Sequence, residues 1–408
     1  MLARHEGQIV FVSGAIPGER VRARVERSAK SVLYASTIEV IEPSSDRRAV
    51  AGDWQCGGNV FAHMAYERQR LIKGDILRDA LERIGRVPLP AAPDVVGSPE
   101  QGYRMRARLH CRDRRIGFFR EGTHELCDAG STGQLMPAAV AWIADAERTI
   151  AHARLSGLSA LELSENVAGD ERACHLLLDA RVVAAPFAVL GSLAGITGLS
   201  AERADRAGIE ILTGTASVTD VIRVRADGTA TVLQLRRDVR AFFQGNRFLL
   251  EPLARHVASL VPPGPVVDLY AGVGLFGLSL AAAGYDQVTL VEGDPISGAS
   301  LVENAEPFGA QVQVVRASVE SFLAGARAAD PPTTFIVDPP RTGMSKEALA
   351  GIIRSAPERL VYVSCDVATF ARDTRTLLDA GYELDQVIGM DLFPNTAHVE
   401  AIARFVRV

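Results

Sequence analysis

The chain lacks the features that would place it in a membrane or outside the cell. Its N-terminus, MLARHEGQIV, has no basic segment followed by an apolar one, and no uncharged apolar run approaches ~18 residues. Only five cysteines are scattered along 408 residues, which argues against a disulfide framework and is compatible with a reduced, reactive thiol. We therefore expect a cytoplasmic protein without membrane contact.

The composition also lacks any extreme. With 48% hydrophobic and 23% charged residues, the chain is expected to fold into two or three ordinary globular domains. A net charge of -5 excludes a polycation, yet residues 1–130 contain more Lys and Arg than Asp and Glu. This local bias permits contact with nucleic acid without proving it.

Residues 1–45 have the pattern of a small β-module. Three segments rich in β-branched residues are separated by turn residues at 13–14 and 17–18. The string FVSGAIPGERVRARV resembles the TRAM module, an OB-like barrel, and by this resemblance the barrel should begin one strand before Met1. Such barrels bind RNA through a charged, sequence-tolerant face; a β-surface that only meets solvent is the alternative.

The rest of the chain divides into two patterns. Residues 46–235 combine an apolar helical pattern over 66–86, closed by Gly85, with strands such as ACHLLLDARVV, which predicts an α+β domain. Over residues 236–408, strands alternate with helical stretches, which is typical of a doubly wound parallel α/β sheet.

The densest basic run lies in the central region, in GYRMRARLHCRDRRIGFFREGTHELCD. Arg104, Arg106 and Arg108 alternate with apolar residues, so their side chains share one face of a strand. Arginine's planar fork suits phosphate oxygens, which predicts RNA contact here, and a solvated strand face is the alternative. Three aromatic side chains lie nearby for base stacking: Tyr103, Phe118 and Phe119.

A glycine-rich turn opens the C-terminal region. PVVDLYAGVGLFGLSLAAAG places a strand, then Gly272 and Gly274, then an apolar helix, and such glycines let the backbone approach a nucleotide-like ligand. The next strand brings Glu292 to its end, where a carboxylate can accept hydrogen bonds from ribose hydroxyls. Together they favour an adenosine-containing cofactor over a structural turn beside a surface carboxylate.

Reactive side chains follow the later strands. FIVDPPRTG places Asp338 at the end of one strand, and RLVYVSCDVAT places Cys365 at the end of the next. FPNTAHVE then presents His398 and Glu400 before a last strand. Because ligands bind at the carboxyl ends of strands in open α/β sheets, these side chains are expected to share a site, although an inert buried thiol is the alternative for the cysteine.

Five motifs in order, AFFQGN, DLYAGVG, DPPRTG, SCDVAT and FPNTAHVE, resemble those of the S-adenosylmethionine-dependent RNA uracil-C5 methyltransferases. The resemblance implies a Rossmann-like methyltransferase domain, S-adenosylmethionine as cofactor, RNA as substrate and a monomeric state. The N-terminal barrel favours ribosomal RNA slightly over transfer RNA. The cofactor contacts that the resemblance implies fall on Gln244, Tyr270, Glu292 and Asp338.

The resemblance also assigns catalytic roles. C5 of uracil is too weak a nucleophile to attack a sulfonium methyl group unaided, so a thiolate must first add to C6. By resemblance, Cys365 is this nucleophile and Glu400 is the base that removes the C5 proton, while His398 remains unassigned. Leu275 and Ser318 depart from the polar side chains that family members often have near the cofactor.

The segment VAGDWQCGGNV resembles the iron-sulfur segment of this family but lacks most of its ligands. Cys56 is kept, whereas Val50, Asn59 and the downstream Thr132 stand where cysteines are expected. Since a [4Fe-4S] cluster needs four thiolates, we predict that no iron-sulfur cluster or other metal is bound.

Two other functions are weighed. A methyltransferase acting on an exocyclic amine would centre on DPPRTG, but it needs neither a cysteine nor removal of a carbon-bound proton, so Cys365 and Glu400 argue against it. A non-enzymatic RNA-binding protein on the same fold would be expected to have lost Cys365, Glu400 or the glycine turn, and all are intact.

Overall fold

The computed structural model describes residues 1–29, 31–50, 52–226, 229–325 and 334–408. The N-terminal strands form one four-stranded sheet in the order β1-β2-β4-β3, around a small core that includes Val10, Val12 and Ala35. Among the described strands, no pairing between β1 and β3 closes this sheet into a barrel. The strands are β1 (Leu2–His5), β2 (Gln8–Ser13), β3 (Arg20–Ala29) and β4 (Val32–Glu42).

The first helix, α1 (Tyr66–Ala80), continues as a π-helical turn over Leu81–Gly85, which confirms the helical pattern predicted for 66–86. It packs against the C-terminal sheet through the fully buried Leu77 and Leu81. Leu71 of the same helix is exposed. The short strand β5 (Val95–Val96) that follows joins the edge of the same C-terminal sheet.

The central sheet has seven strands in the order β12-β11-β10-β9-β6-β7-β8. Helix α2 (Pro137–His152) covers it by burying Trp142, and the hairpin of β13 (Ser217–Ala226) and β14 (Thr229–Asp238) leads into the C-terminal region. The strands of the sheet are β6 (Arg106–Arg112), β7 (Arg115–Phe119), β8 (Leu126–Cys127), β9 (Leu158–Glu165), β10 (Arg172–Leu178), β11 (Gly198–Arg203) and β12 (Arg206–Gly214).

One disulfide, Cys56–Cys127, corrects the expectation that the cysteines are unpaired. The two residues are 71 positions apart, so their spacing gives no hint of contact. They meet because Cys56 forms a β-bridge with Arg120 and Cys127 pairs with Phe118 across β7 and β8. Three cysteines are free: Cys111, Cys174 and Cys365.

The C-terminal sheet has eight strands in the order β17-β16-β15-β18-β19-β21-β20-β5. β15 to β19 run parallel with helices between them, and β21 is antiparallel to β19, which confirms the predicted α/β class. Its strands are β15 (Val266–Leu269), β16 (Val288–Val291), β17 (Val312–Val315), β18 (Thr334–Val337), β19 (Arg359–Ser364), β20 (Tyr382–Met390) and β21 (Glu400–Arg407). Its helices are α3 (Leu250–Ser259), α4 (Leu275–Ala282), α5 (Pro295–Ala305), α6 (Val319–Gly325), α7 (Lys346–Ser355) and α8 (Val367–Asp379).

The strand order places the site. β15 has β16 on one side and β18 on the other, so the connections diverge there and leave a crevice at the carboxyl ends of the strands. The domain boundaries at 45 and 235 stay predictions. None of the helices in the described ranges is long and apolar enough to cross a bilayer.

Candidate active site

The turn after β15 forms one wall of the crevice. Gly272 and Gly274 have φ angles of 58° and 102°, in the left-handed region that favours glycine. A Cβ on Gly274 would meet Leu278 at 2.4 Å, whereas no described atom lies within 4 Å of a Cβ position on Gly272. Gly274 is therefore needed for packing, and Gly272 leaves open space where a ligand's atoms could approach the backbone.

Glu292 lies at the end of β16 and is held beside this turn. Its Oε2 accepts a hydrogen bond from the backbone N of Gly272 at 2.7 Å, and its Oε1 accepts one from the N of Asp294 at 2.6 Å. Burial raises the pKa of this carboxyl, and the two backbone donors oppose the rise. The carboxylate is thus fixed in direction at the position predicted for a ribose contact.

Two further carboxyls, on β15 and at the end of β18, lie close enough for their charges to interact. Burial raises the pKa of Asp338, at the end of β18, to about 7, against the hydrogen bond that its Oδ2 accepts from Gln244 Nε2 at 3.0 Å. Burial also raises the pKa of Asp268, inside β15, to about 8. Its Oδ2 accepts from Gly277 N at 2.8 Å, but its Oδ1 has no hydrogen-bond partner in the described part of the chain. Sequence reasoning missed Asp268, whose only signal was a charge inside an apolar strand.

These three carboxyls fit S-adenosylmethionine, whose sulfonium and ammonium groups are both cationic. A positive charge among acidic groups with raised pKa values would stabilise their ionised forms. Tyr270, the residue after Leu269 in the same turn, has φ of 61° and is half-buried at the rim. Leu275 and Ser318 stand where family members often have other polar side chains. Leu275 is buried, and the Ser318 hydroxyl lies 3.0 Å from that of Ser321.

Cys365 and Glu400 are brought together by strand register. β19 and β21 are antiparallel and their pairing ends with Ser364 opposite Ala401, so Cys365 and Glu400 are the residues next to this last pair. Cys365 is half-buried, whereas Glu400 is only 2% exposed. The predicted nucleophile and base therefore stand side by side at the mouth of the crevice.

Their shared environment resists charge. Burial, followed by the charge of Asp338, raises the pKa of Glu400 well above its ordinary range. Burial, with the charges of Glu400 and Asp338, raises the pKa of the Cys365 thiol to about 11. The positive charge of Arg341 opposes both shifts, and this exposed residue of DPPRTG was not singled out as a site residue.

Helix α1 supports the loop that carries His398 and leads into Glu400, the first residue of β21. Lys73 Nζ lies 2.5 Å from Asp391 Oδ1 in a fully buried ion pair and donates to the carbonyl of Phe393 at 3.0 Å. His398 itself is exposed, with its ring 6.2 Å from that of Phe393. Sequence reasoning missed Lys73, because a helical face gives no signal of its distant partner.

The AFFQGN segment, residues 241–246, contributes one side chain to the crevice, and other side chains of the segment pack around it. Gln244 donates to Asp338, whereas Phe243 packs under Arg237 with 4.6 Å between the guanidinium carbon and the ring centre. Asn246 is fully buried and donates to the carbonyl of Leu392 at 3.1 Å. A further aromatic ring, Phe242, is 62% exposed, a feature that the sequence does not reveal.

The three predicted RNA-binding arginines lie on one face, but they differ in how far their hydrogen-bond donors are already used. Arg104 donates to Gln134 Oε1 at 2.6 Å and to the carbonyl of Arg106 at 2.9 Å, so much of its capacity is already used. Arg108 is exposed and lies 3.5 Å from Glu162. Arg106 has its guanidinium carbon 5.9 Å from the centre of the exposed Phe242 ring.

Only one of the three aromatic residues proposed for stacking is available. Tyr103 and Phe118 are buried in the core, which corrects the expectation that they face RNA. Phe119 is half-buried and lines a groove of about 1400 Å³, together with Arg104 and Arg108. The groove extends to Arg341 and His398, so it runs from the basic strand to the segments that follow Asp338 and precede Glu400.

Comparison with known proteins gives concordant matches. A family model described as tRNA (Uracil-5-)-methyltransferase matches residues 241–407, and a TRAM domain model matches residues 1–38. The 23S rRNA (uracil(1939)-C(5))-methyltransferase of Halomonas elongata is 31% identical, with 97% of this chain and 84% of the relative covered. The protein of the same name from Acidithiobacillus ferrooxidans is 31% identical, with 100% and 94% covered.

A solved structure also matches over nearly the whole length. The tRNA (uracil-54, C5)-methyltransferase of Pyrococcus abyssi, in complex with S-adenosyl-L-homocysteine, has a TM-score of 0.77 and 25% identity, with 97% of this chain and 95% of that chain covered. The predicted TRAM region, methyltransferase fold and S-adenosylmethionine cofactor are thereby confirmed. The chain belongs to the S-adenosylmethionine-dependent RNA uracil-C5 methyltransferase family.

Proposed function

We propose that the chain methylates C5 of a uridine in 23S ribosomal RNA through a covalent adduct between Cys365 and C6 of the base. The observation that supports this proposal is that Cys365 directly follows β19, while the buried Glu400 begins β21, the antiparallel neighbour of β19. Ribosomal RNA is favoured because curated relatives covered over most of their length are named as 23S enzymes. We also infer a monomer that acts in the cytoplasm, where RNA is modified.

In the proposed reaction, the Cys365 thiolate adds to C6 and the electron pair of the C5–C6 bond is delocalised over C5 and O4. S-adenosylmethionine supplies the electrophilic methyl group that C5 accepts. C5 then carries both the methyl group and its original proton. Glu400 takes this proton, the C5–C6 double bond re-forms, and the Cys365 sulfur leaves.

Proton placement follows from the pKa shifts. In the free protein, burial near Asp338 keeps Cys365 a thiol at neutral pH and favours the protonated form of Glu400. Cationic cofactor bound in the crevice would lower both pKa values, as Arg341 already does. Cofactor binding thus favours the ionised forms that the reaction requires.

The remaining site residues have binding roles in this proposal. Glu292 accepts hydrogen bonds from the ribose, and the turn of Tyr270, Gly272 and Gly274 lies along the cofactor. Gln244 and Asp338 hold the end that bears the methyl group. Phe242 lies two residues before Gln244 and is exposed, so the target base can stack on its ring.

The basic strand has the second binding role. Arg106 and Arg108 contact RNA phosphates, and Arg104 orients the strand through its bond to Gln134. This division follows from the contacts already described, since Arg104 has the least free hydrogen-bonding capacity of the three.

The test is transfer from methyl-labelled S-adenosylmethionine to purified 23S ribosomal RNA and to transfer RNA, with wild type and Cys365→Ala, followed by mass spectrometry of the nucleosides. Labelled 5-methyluridine in 23S RNA from wild type alone supports the proposal. Label in transfer RNA alone would favour the second candidate, to which the Pyrococcus structure points. Label on an exocyclic amine, or binding of RNA without any transfer, would contradict it.

A further inference from the structure

The groove that reaches Arg341 and His398 is also lined by a group of aromatic side chains. These side chains come from parts of the sequence far from Cys365 and Glu400. One wall of the groove is the N-terminal sheet, and the facing wall is formed by β6 and β7. Arg341 and His398 line the groove at the crevice. His110 of β6 and Phe119 of β7 line it too, and we call these two residues the His110–Phe119 pair.

The His110–Phe119 pair is a flat, stacked platform. The two ring centres lie 3.7 Å apart with only 10° between the ring planes, and both side chains are half-buried. His124 contacts Phe119 edge-on at 5.4 Å, and the Arg112 guanidinium carbon lies 5.5 Å from the Phe119 ring centre. Rings needed only for packing would be covered, whereas this stack borders an open groove.

The facing wall has a comparable aromatic group. Tyr34 of β4 lines the groove and is 36% exposed, with the guanidinium carbon of Arg27 4.1 Å from its ring centre. Each wall therefore pairs an accessible aromatic ring with an arginine. Aromatic rings that stack on bases beside cations that meet phosphates are the usual means of holding unpaired nucleic acid.

We propose that the His110–Phe119 pair and Tyr34 hold unpaired nucleotides of the RNA substrate that lie near the target uridine. This inference rests on the proposed function and specifies its substrate as a single-stranded segment longer than the target nucleotide. In a duplex, the bases are stacked inside the helix and cannot reach these rings. The enzyme would thus select a loop or an unpaired end whose neighbouring bases are free to unstack.

The wall that carries the pair is held in place covalently. The Cys56–Cys127 disulfide joins the segment around Cys56 to β8, and Cys127 lies opposite Phe118, the residue before Phe119. Gly57 N also donates to the Phe119 carbonyl at 2.9 Å. The platform is therefore preorganised, which lowers the entropic cost of binding.

The test uses unpaired 12-nucleotide RNAs with one uridine and 2-aminopurine, a fluorescent base quenched by stacking, placed at each position around it. We compare wild type, Phe119→Leu and the aromatic control Phe119→Tyr, all with S-adenosylhomocysteine. Loss of a stacked base should weaken binding of Phe119→Leu roughly 5- to 150-fold, equivalent to ~1–3 kcal/mol, while Phe119→Tyr stays near wild type. Quenching at one neighbouring position should be lost in Phe119→Leu and kept in Phe119→Tyr.

Tyr34→Leu, beside Tyr34→Phe, extends the test to the facing wall. Equal affinity and equal quenching in Phe119→Leu and wild type would overturn the inference, as would wild type that binds duplex RNA as tightly as unpaired RNA. Binding of S-adenosylhomocysteine and the melting temperature show whether a variant has lost its fold. Failure of the proposed function is separate, since it would appear as absence of 5-methyluridine with wild type itself.

Discussion

At the scale of single residues, the proposed mechanism gives Cys365 and Glu400 different roles. Without Cys365, no adduct forms, and C5 stays unreactive. Without a base at position 400, the methylated adduct forms but cannot release its proton. Glu400→Gln should therefore lower turnover ~10²- to 10⁴-fold and accumulate protein linked to RNA, seen as a slow band on denaturing gels. Cys365→Ala should form no such band, and a Glu400→Gln enzyme that turned over at the wild-type rate would exclude the assigned role.

Asp268 gives a pH-dependent prediction. Its pKa is raised to about 8 in the folded protein, so the folded state holds the proton more tightly than the unfolded chain does. The stability gained in this way is complete below the ordinary aspartate pKa and is lost as the pH rises through about 8. Asp268→Asn keeps an acceptor for Gly277 N. Its unfolding free energy, taken relative to that of wild type, should be higher at pH 9 than at pH 5. Urea denaturation at both pH values measures this, and a constant difference would refute it.

The sequence predicts candidate residues where they stand in distinctive local motifs. Cys365 and Glu400 each stand in a distinct motif at the end of a strand, and the strand register then brings them together. Lys73 could not be found in this way, since its partner Asp391 is 318 positions away. The stacking role predicted for Tyr103 and Phe118 is wrong because both side chains are buried. Alternation along a strand could not show this, since it does not tell which face meets the core.

At the scale of elements, α1 acts as a support for the catalytic loop. Lys73→Met would leave Asp391 buried without its cation, which should cost ~3–5 kcal/mol of unfolding free energy. Because Asp391→Asn removes the unpaired charge, Lys73→Met with Asp391→Asn should be more stable than Lys73→Met alone. Urea denaturation of the three variants measures the coupling. Strictly additive costs would show that the two groups do not stabilise each other.

The Cys56–Cys127 disulfide is an element that the sequence did not predict, because cysteine spacing carries no information on β-pairing. It closes a loop with a sequence separation of 71, and the loop-entropy account gives a loss of roughly 4 kcal/mol on its removal. Cys56→Ser should be less stable by this order, and dithiothreitol should bring wild type to the same level. Cys111→Ser, which removes a free thiol, serves as control. Identical unfolding curves for oxidised wild type and Cys56→Ser would contradict the prediction.

At the scale of the whole molecule, the order of motifs was sufficient to predict an α/β methyltransferase domain behind a TRAM region, and the family matches confirm both. The groove between the N-terminal sheet and the central sheet could not be predicted, since it depends on how separate sheets face each other. The same applies to α1 and β5, which lie in the central segment of the sequence but pack against the C-terminal sheet.

In the proposed reaction, methylation proceeds through a bond between Cys365 and C6 of a uridine. The most direct measurement is incubation with S-adenosylmethionine and 23S RNA containing 5-fluorouridine, whose fluorine cannot be removed as a proton, followed by digestion and mass spectrometry. We expect a peptide that carries methylated 5-fluorouridine on Cys365. No adduct despite 5-methyluridine formation on normal RNA, or an adduct on another residue, would contradict it.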